Sequence, residues 1–196
     1  LYWVGCAGSY DPRNQGIAKD LVTILKNANI DFAILGKEET CTGDSARRLG
    51  EEYLFETLAK QNIETMNKYK FNKVVASCPH CMHTILNEYP DFGGDYKVIH
   101  HTELIDELIK TGQLQTTSRS DEKITFHDPC YLGRHNKIFD EPRNILENVI
   151  EIENIIEMKE NREGSMCCGA GGGNMWHEIN EGDRVNVERF KQAVDT

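Results

Sequence analysis

Short apolar runs rich in β-branched residues alternate along this chain with longer stretches whose apolar residues recur at helical spacing. "LYWVG" (1–5) reads as a strand. Residues 15–28 place Ile17, Leu21, Ile24, Leu25 and Ala28 on one face, the pattern of an amphipathic helix. "DFAIL" (31–35) reads as the next strand. Residues 44–69 predict a long helix, with Asp44 as N-cap and Leu49, Tyr53, Leu54 and Leu58 on its apolar stripe. "NKVVAS" (72–77) is a β-branched strand. A helix follows from Pro79 to Glu88, with proline near its first position, where a missing N–H does no harm. "YKVIHH" (96–101) is a strand, and 102–111 a helix capped by Thr102. Residues 112–123, "GQLQTTSRSDEK", are polar and read as a linker. The pattern then restarts: strand "KITFHD" (123–128), a helix near 140–148, strand "IENIIEM" (152–158), a glycine-rich segment and a helix near 182–194. Strands alternating with helices predict an α/β fold with mostly parallel strands.

The cysteines obey that map. Cys6 follows the first strand and Cys41 the second. Cys78 ends the third, with Cys81 one helical turn on. Cys130 follows "ITFHD", and Cys167 and Cys168 follow "IENIIEM". Each lies past the carboxyl end of an expected strand. In an open parallel sheet those ends share one edge, which is where such folds bind ligands.

The spacing repeats. Between Cys6 and Cys41 lie 34 residues, and between Cys130 and Cys167 lie 36. Aligning the halves puts "CTG" (41–43) on "CCG" (167–169), so Thr42 stands where Cys168 stands. In the first half 36 residues separate Cys41 from Cys78. Extending the repeat puts a second CxxC near position ~204. The sequence given ends at Thr196 and opens in "LYWVGC", a strand already under way, so the expectation is a piece of a longer protein whose second unit stops before its last two ligands.

Composition narrows the chemistry. The chain has 196 residues, 39% hydrophobic and 28% charged, and a net charge of −10, which argues against a nucleic-acid partner because phosphate neutralisation needs clustered Lys and Arg. No apolar run approaches the ~18–20 residues that span a bilayer. Seven cysteines, an odd number in a chain of this length, fit metal or redox work better than a secreted disulfide scaffold.

Cys6, Cys41, Cys78 and Cys81 supply four thiolates, suited to a [4Fe–4S] cluster or to structural zinc. Zinc usually takes two close pairs. Here one pair is close and the other two ligands come from separate strand ends, which favours the larger cluster. "CPHC" alone fits a thioredoxin-like dithiol using Cys78 and Cys81, because it follows a strand and opens a helix, but that leaves Cys6 and Cys41 without a role. "GAGGGN" (169–174) is not a dinucleotide loop: the third glycine of G-x-G-x-x-G falls at Asn174, and no G-K-[ST] follows. Gly169, Gly171 and Gly172 instead suit backbone that comes close to a cluster, with N–H groups free to bond its sulfides; a plain flexible turn is the alternative. Of the histidines, His80 and His127 lie beside ligand cysteines and could tune a cluster. His83, His100, His101, His135 and His177 read as ordinary loop or surface residues.

Together "VGC" (4–6), "CTGD" (41–44), "SCPHC" (77–81), "HDPCYLGRHN" (127–136) and "CCGAGGGNMW" (167–176) resemble the cysteine-rich (CCG) domain family, that of the heterodisulfide reductase B and D subunits and of the iron–sulfur subunits of glycolate and lactate oxidases. "EYLF" (52–55) and "HDPCYLGRHN" are most similar to the reductase-D-like iron–sulfur oxidoreductases, some of which end larger proteins that pass electrons between electron-transferring flavoprotein and quinone. The resemblance implies two cluster sites facing each other across a pseudo-twofold, each CCG motif helping to hold a noncubane [4Fe–4S] cluster with five cysteines. Thr42 removes one thiolate from the first motif, which points there to an ordinary cubane on Cys6, Cys41, Cys78 and Cys81. The second motif keeps Cys130, Cys167 and Cys168 without a CxxC, so its site is incomplete in this chain; zinc or no metal is the expectation for sites not filled with iron.

The expectation is therefore an α/β protein of two similar Rossmann-like halves, 1–112 and 123–196, joined by a linker at 113–122, with its cysteines at the carboxyl edge of the strands. It is expected to act as an iron–sulfur electron-transfer module of an oxidoreductase, in the cytoplasm or at the cytoplasmic face of a membrane. A zinc-stabilised non-catalytic domain and a thiol–disulfide oxidoreductase are its rivals.

Overall fold

Three short strands make the sheet of this computed structural model: β1 (Tyr2–Trp3), β2 (Val74–Ala76) and β3 (Val98–His100), in that order and all parallel. Tyr2 pairs with Val75 and Trp3 with Ala76; Val74, Val75 and Ala76 pair with Val98, Ile99 and His100. The structure describes residues 1–176, 182 and 184–196. His177 lies outside the described residues. The chain divides into two compact units, Leu1–Gln115 and Thr116–Thr196.

The first unit is an open parallel α/β sheet with helical crossovers, as the alternating pattern predicts. After β1 come α1 (Gly5–Tyr10) and α2 (Pro12–Asn27), whose start is fixed by Asp11: its carboxylate accepts the Asn14 N–H at 2.9 Å, and Pro12 opens the first turn. α2 buries Leu21 and Leu25. The expected strand 31–35 does not join the ladder. It runs beside β1 and gives it one bond, from the Tyr2 N–H to the Ala33 carbonyl at 2.8 Å, before a 3₁₀ turn at Gly36–Glu38 diverts it.

The single helix expected over 44–69 is two, α3 (Asp44–Arg48) and α4 (Glu52–Met66). Gly50, at φ 87°, breaks them apart with left-handed backbone. Asp44 is not the cap: Gly43 is, and Asp44 is buried in the first turn. The apolar stripe shifts as well. Leu49, Tyr53 and Leu54 face solvent, whereas Phe55, Ala59, Asn62, Ile63 and Met66 face the core. After β2, α5 (Pro79–His83) continues through a π turn at Thr84–Glu88. After β3 comes α6 (His101–Lys110).

His100, not Thr102, caps α6. Its Nδ1 takes the Thr102 N–H, and the Glu103 carboxylate takes the His100 N–H at 2.7 Å, a reciprocal capping box. The other ring nitrogen lies 3.0 Å from the Ser77 carbonyl and can only donate to it, so the ring is a neutral Nε2–H tautomer. Burial holds His100 down to about 3 and His101 down to about 4. Both folded values lie below the usual imidazole range, so between those values and about pH 6.5 the unfolded chain binds protons that the folded one refuses. Stability is therefore expected to fall as pH drops from about 6.5 towards 4, by up to about 1.4 kcal/mol per pH unit for each histidine. Urea titrations of the wild type and His100→Asn across that range check this, the variant showing the shallower loss.

The second unit has α7 (Asp140–Val149) and α8 (Val185–Val194). Its two expected strands shrink to one parallel bridge, Ile124 with Ile155, and a second bridge joins Ser120 to Ile150. A 3₁₀ turn takes up Ile152–Asn154, and beyond the bridge the Asp128 carboxylate, rather than a ladder carbonyl, accepts the Arg162 N–H at 2.7 Å. Among the described residues no helix is long and apolar enough to cross a membrane.

Candidate metal centre

All four cysteines of the first unit come to the carboxyl edge of its sheet. Cys6 sits in the first turn of α1, just after β1; Cys78 and Cys81 flank the start of α5, just after β2; and Cys41 lies on the loop before α3. The thiols meet in pairs. Cys41 hydrogen-bonds Cys6, which lowers the affinity of Cys6 for its proton and raises that of Cys41, where burial adds to the effect. Cys81 does the same for Cys78 and is itself pushed up by that bond and by burial. The Thr42 hydroxyl donates to Cys81 Sγ at 3.8 Å, and the Gly43 N–H to Cys41 Sγ at 3.4 Å. A Cβ on Gly5 would stand 3.5 Å from Cys81 Sγ, so the β1–α1 turn lies directly against that sulfur.

A frame of buried polar side chains, which no hydrophobic period reveals, fixes the Cys41 loop. Glu39 accepts the N–H groups of Val4 and Gly5 at 3.0 and 2.6 Å and so ties the Cys41 loop to the Cys6 turn. Asn62, fully buried on the core face of α4, accepts from the Thr40 hydroxyl at 2.9 Å and donates to the Cys41 carbonyl at 2.9 Å and to the Tyr89 hydroxyl at 3.1 Å. Tyr89 in turn donates to the Thr42 carbonyl at 3.2 Å. Gly43, at φ 87°, brings the loop so close to α4 that a Cβ would stand 2.8 Å from the Phe55 ring. The one signal in the sequence is Asn62 itself, a polar residue in the otherwise apolar series 55, 59, 62, 63, 66.

Beneath the CPHC turn lies a charge network. Asp44 faces His80 Nδ1 at 2.8 Å and Arg48 Nε at 3.2 Å, while Arg47 and Arg48 both pair with Glu88. Burial pushes the Asp44 carboxyl up, but His80 and Arg48 outweigh it and hold the group below the usual carboxylate range. His80 is therefore engaged from below by Asp44 while its neighbours in sequence supply the thiols.

In the second unit Cys130, Cys167 and Cys168 also gather. Burial and the two other thiols push Cys130 up. His127 draws Cys168 down to about 6. The Gly169 N–H points to Cys167 Sγ at 3.3 Å and the Ala170 N–H to Cys168 Sγ at 3.5 Å. Gly169, at φ 77°, and Gly172, at φ 66°, adopt left-handed backbone, and the Gly171 carbonyl accepts the Asn174 N–H at 3.3 Å to close a turn. Arg134 of the "HDPCYLGRHN" stretch donates to the carbonyls of Glu163 and Ser165, binding the Cys130 loop to the segment that delivers Cys167.

Four thiols drawn from three chain segments, with hydroxyl and backbone N–H donors aimed at their sulfurs, form a soft, hydrogen-bonded donor set of the kind that iron–sulfur clusters take. Among the described residues no three His, Cys, Asp or Glu side chains close on a point as a single-ion site would. A cavity of about 990 Å³ lies elsewhere in the first unit, lined by Leu1, Phe32, Met66 and Phe71 at the amino ends of the strands, and contains no cysteine.

Comparison with known proteins agrees with this chemistry. The sequence profile of the cysteine-rich domain, CCG, matches residues 1–86 and 124–196. The chain is 48% identical over 194 residues to the protein named "Probable iron-sulfur-binding oxidoreductase FadF" of Bacillus subtilis, covering 99% of this chain and 27% of that one. It is 46% identical to the EtfAB:quinone oxidoreductase of Syntrophomonas wolfei over 100% of this chain and 27% of the relative. It is 31% identical to the D-type polypeptide of the dihydromethanophenazine:CoB–CoM heterodisulfide reductase of Methanosarcina acetivorans, over 100% of this chain and 49% of that polypeptide. The chain thus spans between about a quarter and a half of the length of these curated relatives.

Proposed function

The chain belongs to the cysteine-rich (CCG) domain family, and on that footing we propose that it is an iron–sulfur electron-transfer module of a heterodisulfide-reductase-like oxidoreductase. The observation that carries the proposal is the convergence of Cys6, Cys41, Cys78 and Cys81 at the carboxyl edge of one parallel sheet, each sulfur facing another thiol or a hydrogen-bond donor. A [4Fe–4S] cluster held there supplies one-electron transfer. The chain's own part is to present four thiolates, to offset their charge with the Thr42 hydroxyl and the Gly43 N–H, and to keep the Cys41 loop rigid through Asn62 and Glu39. Cys130, Cys167 and Cys168 form the ligands of a second site, with Gly169, Gly171 and Gly172 letting the backbone approach it.

The names of the relatives support an oxidoreductase with a redox partner protein, electron-transferring flavoprotein or a quinone-linked membrane complex; the net charge of −10 argues against a nucleic-acid partner. The proposed location is the cytoplasm or the cytoplasmic face of a membrane. The Cys78–Cys81 pair also has the asymmetry of a redox dithiol, one thiol drawn towards thiolate beside a buried protonated partner, but that activity leaves Cys6 and Cys41 without a role.

The test is metal and acid-labile sulfide analysis after anaerobic preparation and reconstitution of the 196-residue chain. About four irons and four sulfides per chain are expected from one cubane in the first unit. One zinc without sulfide would replace the proposal with a zinc-stabilised domain. No metal, together with disulfide reductase activity, would replace it with the dithiol.

A further inference from the structure

Arg189 on α8 is a cation buried without a carboxylate. It is 5% exposed and makes no ion pair among the described residues. Its bonds go to neutral acceptors: the Glu160 carbonyl at 3.0 Å, Gln192 Oε1 at 2.7 Å, Ser165 Oγ at 3.1 Å and, through Nε, His127 Nδ1 at 2.9 Å. A buried charge calls for an opposite charge nearby, and among the described residues the groups that touch this one supply none.

The bond to His127 has a consequence for tautomer. A guanidinium donates and never accepts, so Nδ1 must offer its lone pair and the imidazole proton must sit on Nε2. His127 Nε2 is buried, and the Cys168 thiol, drawn down chiefly by a hydrogen bond from this ring, is the acceptor within reach. Its ring shares a cavity of about 250 Å³ with Cys168, Arg189, Met158 and Phe190. The cavity's polar lining is the His127 ring, the Arg189 guanidinium, the Cys168 thiol and Asn186; Met158, Phe190 and Ala193 make the apolar wall.

The first unit repeats the feature with a different ring. His127 stands three residues before Cys130, and Trp3 stands three residues before Cys6. Trp3 Nε1, a donor and never an acceptor, is buried without a hydrogen-bond partner among the described residues. Buried donors left unmet are rare in proteins, so the His127 N–H calls for a sulfur acceptor, of Cys168 or of a group bound there, and Trp3 holds the same sequence position in the first unit.

We propose that Arg189 is a positioning residue of the second thiolate site: its Nε–H locks His127 as the Nε2–H tautomer, which donates to the sulfur of Cys168 or of a cluster held there, and its guanidinium supplies the positive charge that a buried anionic sulfur centre requires. Hydrogen bonds to sulfur and a nearby cation both favour the more electron-rich state of such a centre. The proposal rests on the iron–sulfur reading for the identity of the acceptor; the tautomer belongs to the chain alone.

The experiment is nitrogen-15 NMR of the full chain labelled at histidine, with the His127 signals assigned by their loss in His127→Gln. The expected spectrum shows His127 as a fixed neutral ring with the proton on Nε2, and Arg189→Met moves its two nitrogen signals towards a tautomer average. Arg189→Lys, which keeps a donor and the charge, restores part of the Nε2–H signature. A wild-type spectrum with the proton on Nδ1 overturns the proposal without any variant, so a misfolded Arg189→Met leaves the test intact. An unchanged His127 spectrum in folded Arg189→Met overturns it as well. Metal analysis reads the other hypothesis separately: iron bound with the proton on Nδ1 sinks the relay and keeps the cluster, whereas Nε2–H without iron keeps the relay and sinks the cluster.

Discussion

Cys41→Ser will strip the first unit of its iron while leaving the chain folded. Cys41 lies at the surface, its partly covered sulfur taking the Gly43 N–H, whereas the loop that carries it is held by other groups: its carbonyl by Asn62, Thr40 by the same side chain, and the Cys6 turn by Glu39. A serine hydroxyl fits the same space. It is a harder donor, a much weaker acid than a thiol and a poor substitute for thiolate on iron. The fold should lose no more than an ordinary surface substitution costs, about 0.5 kcal/mol, while iron falls from about four per chain to well under one. Reconstitution followed by iron analysis, alongside a urea midpoint for each protein, reads both halves of this expectation. Cys130→Ser, in the other unit, should leave the iron of the first site in place. Retention of full iron by a folded Cys41→Ser variant would remove Cys41 from the ligand set, and with it the argument that three chain segments of the first unit converge on one cluster.

The sequence makes the cysteines legible and their supports obscure, for a physical reason. Thiols at the ends of β-branched runs can be placed because a strand buried on both faces announces itself by composition, as β2 and β3 do. The spacing of Cys6, Cys41 and the CPHC pair then follows from counting. Capping residues are harder to place: Asp44 and Thr102 are good caps by type, yet Gly43 and His100 take those positions because the loop before α3 must pass close to Phe55 and because His100 can bond Ser77 and Thr102 together. The stripe Leu49, Tyr53, Leu54 fails because Gly50 resets the helical phase between α3 and α4. Least legible are the long-range polar pairs. Asp44 reaches His80 across 36 positions and Arg189 reaches His127 across 62. Such pairs have no period, and only the folded chain brings them together.

Arg143→Met will cost the second unit about 3–5 kcal/mol, a large part of the 5–15 kcal/mol that holds a typical domain. Arg143 forks onto Asp128 with two bonds of 2.7 and 2.9 Å and onto Glu157 with two more of 2.5 and 2.9 Å, and its side chain is 8% exposed. Asp128 is still more deeply buried and also receives the Arg162 N–H. Burial pushes the Asp128 carboxyl up, and in the wild type Arg143 and the Arg162 N–H more than offset this, so its folded value lies below the usual carboxylate range. That contribution to stability is present above about pH 4 and is lost as pH falls through the folded value. Methionine fills the space of the arginine stem but leaves Asp128 a buried charge with no paired cation, only the Arg162 N–H and the weaker pull of the half-exposed Arg162 guanidinium, and the sign reverses. The folded value of Asp128 then rises above the unfolded one, so the variant's deficit should be largest near pH 7 and should shrink on acidification towards pH 4. Urea denaturation of the wild type and the variant at both pH values measures this. Arg143→Met combined with Asp128→Asn, which removes the stranded charge and keeps an acceptor for Arg162, should recover much of the loss at pH 7. A single variant within about 1 kcal/mol of wild type would mean that water already reaches Asp128. Asp128 would then not be the anchor that joins the Cys130 loop to the segment bearing Cys167 and Cys168.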